Sequence, residues 1–200
     1  MWTSDCKSGV ITIYGIYWFI IRKNVLYLQT NVYIIKMTTA EIREKLDQEV
    51  ESYFKRTQAN TTIPRSHENI TYADFLSDRM LIIEIIRRGV PYSLFNLIQH
   101  NAPFTERDWA NILDISTKSL QRYKQTSRDF KSIQSEKIIE MAEVIDVGVE
   151  VFEDMERFKL WLDTPNFALG NLRPFDLLKD SYGKEMVMTE LTRINHGILA

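Results

Sequence analysis

Phe104–Gln125 reads FTERDWANILDISTKSLQRYKQ, and how this stretch folds decides the class of the chain. It predicts two short helices joined by a tight corner, the spacing of a helix-turn-helix. Thr105 stands where it can cap the first helix, with Asp108 three residues on in capping-box position. Trp109 and Leu113 fall four apart on its apolar side, and Ala110 is small where a second helix must approach. Asp114 takes the corner, where glycine is usual and Asp tolerates a left-handed backbone. Ile115 plugs the corner and Ser116 caps the second helix, which turns Leu120 and Tyr123 inward. Its outward residues, Ser116, Thr117, Lys118, Gln121, Arg122 and Lys124, carry hydroxyls and cations for phosphate and forked donors for base edges.

Two short helices at a tight corner also occur in proteins that never touch nucleic acid, so charge has to discriminate. Between Ile115 and Lys131 stand Lys118, Arg122, Lys124, Arg128 and Lys131 against Asp129 alone, a net of +4. The whole chain carries −2, so its cations are concentrated here, as a DNA-facing patch requires.

The flanking pieces extend the same class. Met37–Lys55 places Ile42, Leu46, Val50 and Phe54 at helical spacing. Arg56–Thr71 is polar, contains Pro64 and reads as a linker. Tyr72–Arg88 reads as one apolar helix ended by Gly89, and Pro91 opens another that runs to about His100. Ser135–Asp154 carries a helical stripe of Ile138, Met141, Ala142, Ile145, Val149 and Phe152. From Gln134 to Asp163 nine carboxylates meet three cations, a net of −6, which makes the other face of this helix either solvated or a surface for a basic partner. Short helices follow at Glu156–Leu162 and from Pro174 to Leu178. A last one is striped by Val187, Leu191 and Ile194 and stopped by Gly197. No stretch after Met37 alternates with period two, so the expected fold is all-α.

At 200 residues the chain holds one or two small domains, and 44% apolar with 26% charged content is that of a globular protein. One cysteine, Cys6, excludes a disulfide framework and fits a reducing cytoplasm. His67, His100 and His196 have no metal-ligand spacing. The sequence shows no nucleophile–base pair and no glycine-rich phosphate loop, so neither enzymatic activity nor a cofactor is expected. The first 36 residues differ from the rest. Ser8–Ile21 is an uncharged run of 14 residues, short of the roughly 20 that cross a bilayer. This atypical apolar extension is expected to lie upstream of a start at Met37, the alternatives being a strand or hairpin extension and a membrane-surface segment. The expected divisions are 1–36 for the extension, 37–71 for the first helix and linker, 72–132 for the helix-turn-helix domain and 133–200 for a C-terminal module.

That module, WLDTPNFALGNLRPFDLLKDSYGKEMVMTELTRINHGILA (Trp161–Ala200), is similar to the closing part of the Xre/MbcA/ParS family of antitoxins. The family pattern is roughly W-L-x3-N-x-A-L-G-G-x-x-P-x-x-L-L, a turn, and a helix ending R-I-x-H-G. It is matched at Trp161, Leu162, Asn166, Ala168, Leu169, Gly170, Pro174, Leu177, Leu178, Gly183, Arg193, Ile194, His196 and Gly197. Asn171 departs from it, standing where the family has a second glycine, and leaves that turn's conformation open. The helix-turn-helix also looks like that family's, and the resemblance covers Tyr72–Ala200.

The resemblance implies an antitoxin encoded beside a RES-domain toxin that consumes NAD or uses it for ADP-ribosylation. The C-terminal module would bind that toxin through Asn166, Leu169, Gly170, Pro174, Arg193, Asn195, His196 and Gly197, and block its NAD pocket. The helix-turn-helix would bind operator DNA as a homodimer or larger assembly and repress the operon, with no membrane involved. Arg193 has three readings: a cation entering an anion-binding cleft, a partner for carboxylates that orient NAD, or a solvated helix-end charge. Asn166, Leu169, Gly170 and Pro174 either touch the toxin or shape the turn beneath the interface. The alternatives in function are a helical interaction protein that does not bind DNA, and a stand-alone helix-turn-helix regulator.

Overall fold

The helical periodicity is realised as ten α-helices and one 3-10 turn in the computed structural model, which describes residues 39–58 and 70–197. The apolar extension and most of the expected linker lie outside the described residues. In order the helices are α1 (Thr39–Gln58), α2 (Tyr72–Ser77), α3 (Arg79–Arg88), α4 (Tyr92–His100), α5 (Glu106–Ile112) and α6 (Thr117–Thr126). Then come α7 (Ser132–Phe152), α8 (Met155–Asp163), the 3-10 turn Phe167–Leu169, α9 (Pro174–Leu177) and α10 (Ser181–Asn195). The described residues from Ile42 onward form one unit.

The single helix expected over Tyr72–Arg88 is two. Asp78 ends α2 in an extended conformation, and its Oδ1 accepts from the N–H of Met80 at 2.8 Å and of Leu81 at 3.4 Å, capping α3. A carboxylate that satisfies the orphan donors of a new helix outweighs helical continuity at that position. Thr71 and Asp74 form a second capping box at the start of α2. α1 runs three residues past the expected Lys55, and its apolar stripe is placed as the spacing requires, with Leu46, Val50 and Phe54 buried.

Helix α7 is the axis of the molecule: α3 packs along one side, α10 along another, and α8 folds back on its end. It buries Ile138, Met141, Ala142 and Ile145 as the stripe predicts, and Ile139 and Val144 as well, so its apolar surface extends beyond one face. Three of its carboxylates are engaged, while Glu136 and Glu150 stay exposed and belong to no ion pair among the described residues. Glu140 pairs with Lys137 at 2.8 Å, Glu143 with Lys184 of α10 at 2.5 Å, and Asp146 with Arg43 of α1 at 3.1 Å. The last two carboxylates hold neighbouring helices onto α7, which a one-dimensional charge count does not show.

One hydrophobic cluster runs from Leu46 to Leu191. Phe95 sits at its aromatic centre, edge-on to Trp109 at 5.1 Å and tilted against Phe130 at 4.9 Å. Phe104 touches both Trp109 and Phe175 of α9, each with ring centroids 5.6 Å apart, so the helix-turn-helix and the C-terminal module share this core. No helix among the described residues is long and apolar enough to cross a membrane.

Candidate nucleic-acid interface and partner-binding module

Local hydrogen bonding builds the corner between α5 and α6. Thr105 Oγ1 accepts from the Asp108 N–H at 3.2 Å while Asp108 Oδ2 accepts from the Thr105 N–H at 2.9 Å, a complete capping box. At the corner Asp114 is left-handed, with φ at 51°, and its N–H donates to the Asn111 carbonyl at 3.2 Å. The Ile115 N–H then donates to the Ala110 carbonyl at 3.0 Å, and Ser116 Oγ accepts from the Ser119 N–H at 3.1 Å to start α6. Leu120 is buried, and the half-buried Tyr123 stacks on Phe130 with centroids 4.3 Å apart. That pins the inner side of α6 to the core.

The outer side of α6 is polar and open. Ser116, Thr117, Lys118, Gln121, Arg122 and Lys124 are all exposed. Lys118, Arg122 and Lys124 belong to no ion pair among the described residues, and neither do the exposed Arg128 and Lys131 just beyond. Elsewhere some cations are paired, as at Arg88–Glu84 and Lys55–Glu51, and others such as Arg79, Arg87 and Arg107 are not; what sets α6 apart is that three exposed, unpaired cations stand on one short helix. A cleft beside it is lined by Asn96, Gln99 and His100 of α4 and Glu106 of α5 together with Gln121, Lys124 and Gln125.

The C-terminal module hangs on the turn at 166–172. Asn166 is extended; its N–H donates to the Leu172 carbonyl at 3.0 Å, and its side-chain oxygen accepts from the Ala168 N–H at 2.8 Å. Gly170 and Asn171 are both left-handed, with φ of 70° and 60°. The conformation left open at Asn171 is thus one that asparagine tolerates in place of glycine. Leu169 and Pro174 point inward and are buried, so both shape the turn from beneath, whereas Gly170 is exposed. Gly183 sits where α10 crosses α9: a Cβ there would lie 2.1 Å from the Leu177 carbonyl oxygen.

At the end of α10, Asn195, His196 and Gly197 are exposed, and Gly197 is left-handed with φ at 69°. Arg193 differs from a free helix-end cation. It is half-buried, and its Nη1 lies 3.5 Å from Oε2 of Glu190, an almost fully buried carboxylate that charge counting passed over. Arg173 and Asp176 form an exposed two-pronged pair at 2.8 and 2.9 Å, which holds the Asp176 carboxyl below its ordinary range through that hydrogen bonding. Sequence reading also missed the large apolar side chains that stay in solvent here: Leu160, Phe167, Leu172, Tyr182 and Met186. Among the described residues no group of three or more His, Cys, Asp or Glu side chains could hold a metal ion.

Comparison with known proteins places both halves. Residues 81–143 match the antitoxin Xre-like helix-turn-helix domain, and residues 148–197 match the antitoxin Xre/MbcA/ParS C-terminal toxin-binding domain. An antitoxin Xre of Photorhabdus laumondii is 28% identical over 117 residues, covering 58% of this chain and 79% of that protein. An antitoxin Xre of Yersinia enterocolitica is 25% identical over 121 residues, covering 60% of this chain and 82% of that protein. The crystal structure of the M. tuberculosis MbcT-MbcA toxin-antitoxin complex holds a similar chain, with 22% identity and a TM-score of 0.46 over 53% of this chain and 94% of that one. The capped corner at Asp114 and the left-handed turn at Gly170–Asn171 each fall inside the domain model expected to contain them, and in the order helix-turn-helix then toxin-binding domain the chain belongs to the Xre/MbcA/ParS family of antitoxins.

Proposed function

We propose that this antitoxin neutralises a RES-domain toxin, an enzyme that consumes NAD or transfers ADP-ribose from it, and represses its own operon in the cytoplasm. The observation that carries the repressor half is the outer side of α6, where Lys118, Arg122 and Lys124 are exposed and unpaired within a capped helix-turn-helix. Unpaired cations keep their attraction for phosphate undiminished, and Gln121 and Arg122 supply forked donors for base edges. A two-fold assembly would read half-sites about 34 Å apart or a multiple of that.

The neutralising half rests on the toxin-binding domain match and on the projecting end of α10. Asn195, His196 and the Gly197 backbone offer polar groups to the mouth of an NAD cleft, with Arg193 steadied by Glu190 beside them. Asn166 and Gly170 hold the turn, and Leu169 and Pro174 support it from the core.

The test separates the halves in the full chain. Lys118→Ala with Arg122→Ala should lower operator affinity and flatten its salt dependence by about one unit of log–log slope for each phosphate no longer neutralised, leaving toxin co-purification unchanged. Deleting 193–200 should release toxin activity and leave operator binding intact. Either change abolishing both activities in a folded protein would overturn the two-part reading.

A further inference from the structure

Among the described residues eight large apolar side chains stand exposed, and five of them fall within the quarter of the chain that matches the toxin-binding domain. Scattered exposed apolar residues are ordinary, but clustering on one module marks a contact surface. Two belong to a single turn. Phe167 is 80% exposed and Leu172 51% exposed, and the antiparallel bridge between Asn166 and Leu172 closes the turn that carries both, with Phe167 one residue inside it. The turn is built rather than slack: Asn166 caps it from within, Leu169 anchors it in the core, and the left-handed pair Gly170–Asn171 closes it. Beside it Arg173 is held by Asp176 in the exposed two-pronged pair, and Asp163 lies within electrostatic reach of the same guanidinium. An apolar centre with a paired polar rim is the anatomy of a protein interface.

Phe167 and Leu172 also occupy the unspecified positions of the motif N-x-A-L-G-G-x-x-P, whereas Leu169 and Pro174, which match it, are buried. We propose that the shared residues of this turn, Asn166, Leu169, Gly170 and Pro174, are scaffold, and that Phe167 with Leu172 form an apolar knob that enters an apolar pocket on the toxin and decides which toxin this antitoxin accepts. This rests on the reading of the module as toxin-binding. An aromatic side chain anchored in a desolvated pocket dominates the energy of such an interface, while rim pairs contribute little.

The experiment titrates a purified RES-domain toxin, the partner named in the proposed function, against full-length antitoxin. Phe167→Ser with Leu172→Ser should weaken affinity about 100-fold, about 2.8 kcal/mol, with operator binding and the helical circular dichroism signal unchanged. Arg173→Ala should change affinity less than about threefold. Affinity of the double variant within threefold of wild type, while deletion of 193–200 abolishes binding, overturns the knob and keeps the toxin-binding reading. A double variant that loses self-association on sedimentation but keeps toxin affinity makes the knob a contact between copies and also overturns the proposal. Failure of the unaltered protein to bind the toxin overturns both readings together.

Discussion

Replacing Ser135 by alanine should cost more than any other hydroxyl deletion in this fold. Ser135 is fully buried in the first turn of α7; its Oγ accepts from the Val90 N–H at 2.9 Å and donates to the Phe130 carbonyl at 3.2 Å. Val90 and Phe130 are themselves joined, with the Phe130 N–H donating to the Val90 carbonyl at 2.9 Å. One hydroxyl therefore ties the α3–α4 turn to the segment that leads out of α6. Alanine strands the buried Val90 N–H, at about 1–3 kcal/mol, and forfeits the second bond, at about 1 kcal/mol. Better helix propensity returns about half a kcal/mol. The expected net loss is about 1.5–3.5 kcal/mol, or about 3–14 °C in Tm at this chain length. Urea unfolding followed by circular dichroism should show a lower midpoint at unchanged slope. The control is Thr126→Ala, whose exposed hydroxyl donates to the Arg122 carbonyl at 2.8 Å and whose removal should cost less than about 0.5 kcal/mol. If the two variants unfold at the same urea concentration, the Ser135 hydroxyl does not hold the structure together.

Other substitutions probe the corner, the helix crossing and one half-buried charge. Gly183→Ala drives a methyl against the Leu177 carbonyl and should destabilise by about 1–3 kcal/mol, measured as a fall in urea midpoint; an unchanged midpoint would mean that α9 and α10 can separate freely. At Asp114, with φ at 51°, valine should cost more than about 1 kcal/mol and glycine should be neutral or slightly stabilising, so equal midpoints for the two would refute left-handed strain as the reason for the residue there. Burial raises the Asp146 carboxyl above its ordinary value despite Arg43 opposite. The folded state then binds its proton more tightly than the unfolded chain, so this group's contribution to stability falls as pH rises from about 4 through the raised folded value. The stability of Asp146→Asn relative to wild type should increase across that window, and parallel pH profiles would contradict the assignment.

The helix-turn-helix was legible because each of its parts obeys a local rule. Thr105 and Asp108 cap within three residues of each other, Asp114 turns on its own backbone, and the inward and outward sides of α6 repeat at helical spacing. The break at Asp78 was local too, but the apolar run on either side of it hid a capping carboxylate behind a continuous period. Ser135 and Gly183 were not legible, since each is set by a partner outside its own helix; Glu190 has its partner Arg193 at i+3, but its burial was not legible. The same holds for the motif of the C-terminal module. Leu169 and Phe167 are two residues apart and both apolar, yet one is core and the other is solvent-facing. A pattern records which positions are constrained without saying whether packing or binding constrains them.

Helix α7 carries the last turns of the helix-turn-helix domain, which ends at 143, and the first turn of the toxin-binding domain, which begins at 148. The border is a stretch of unbroken helix. Each residue added to a helix rotates the chain beyond it by about 100° and moves it about 1.5 Å. Inserting one residue between 143 and 148 would therefore turn the toxin-binding domain by about 100° relative to the helix-turn-helix domain, and pull Lys184 away from Glu143. Exchange of halves between relatives would keep the packing of both domains only when the helix is spliced in phase, so on the proposed function the two halves must change partners without changing length.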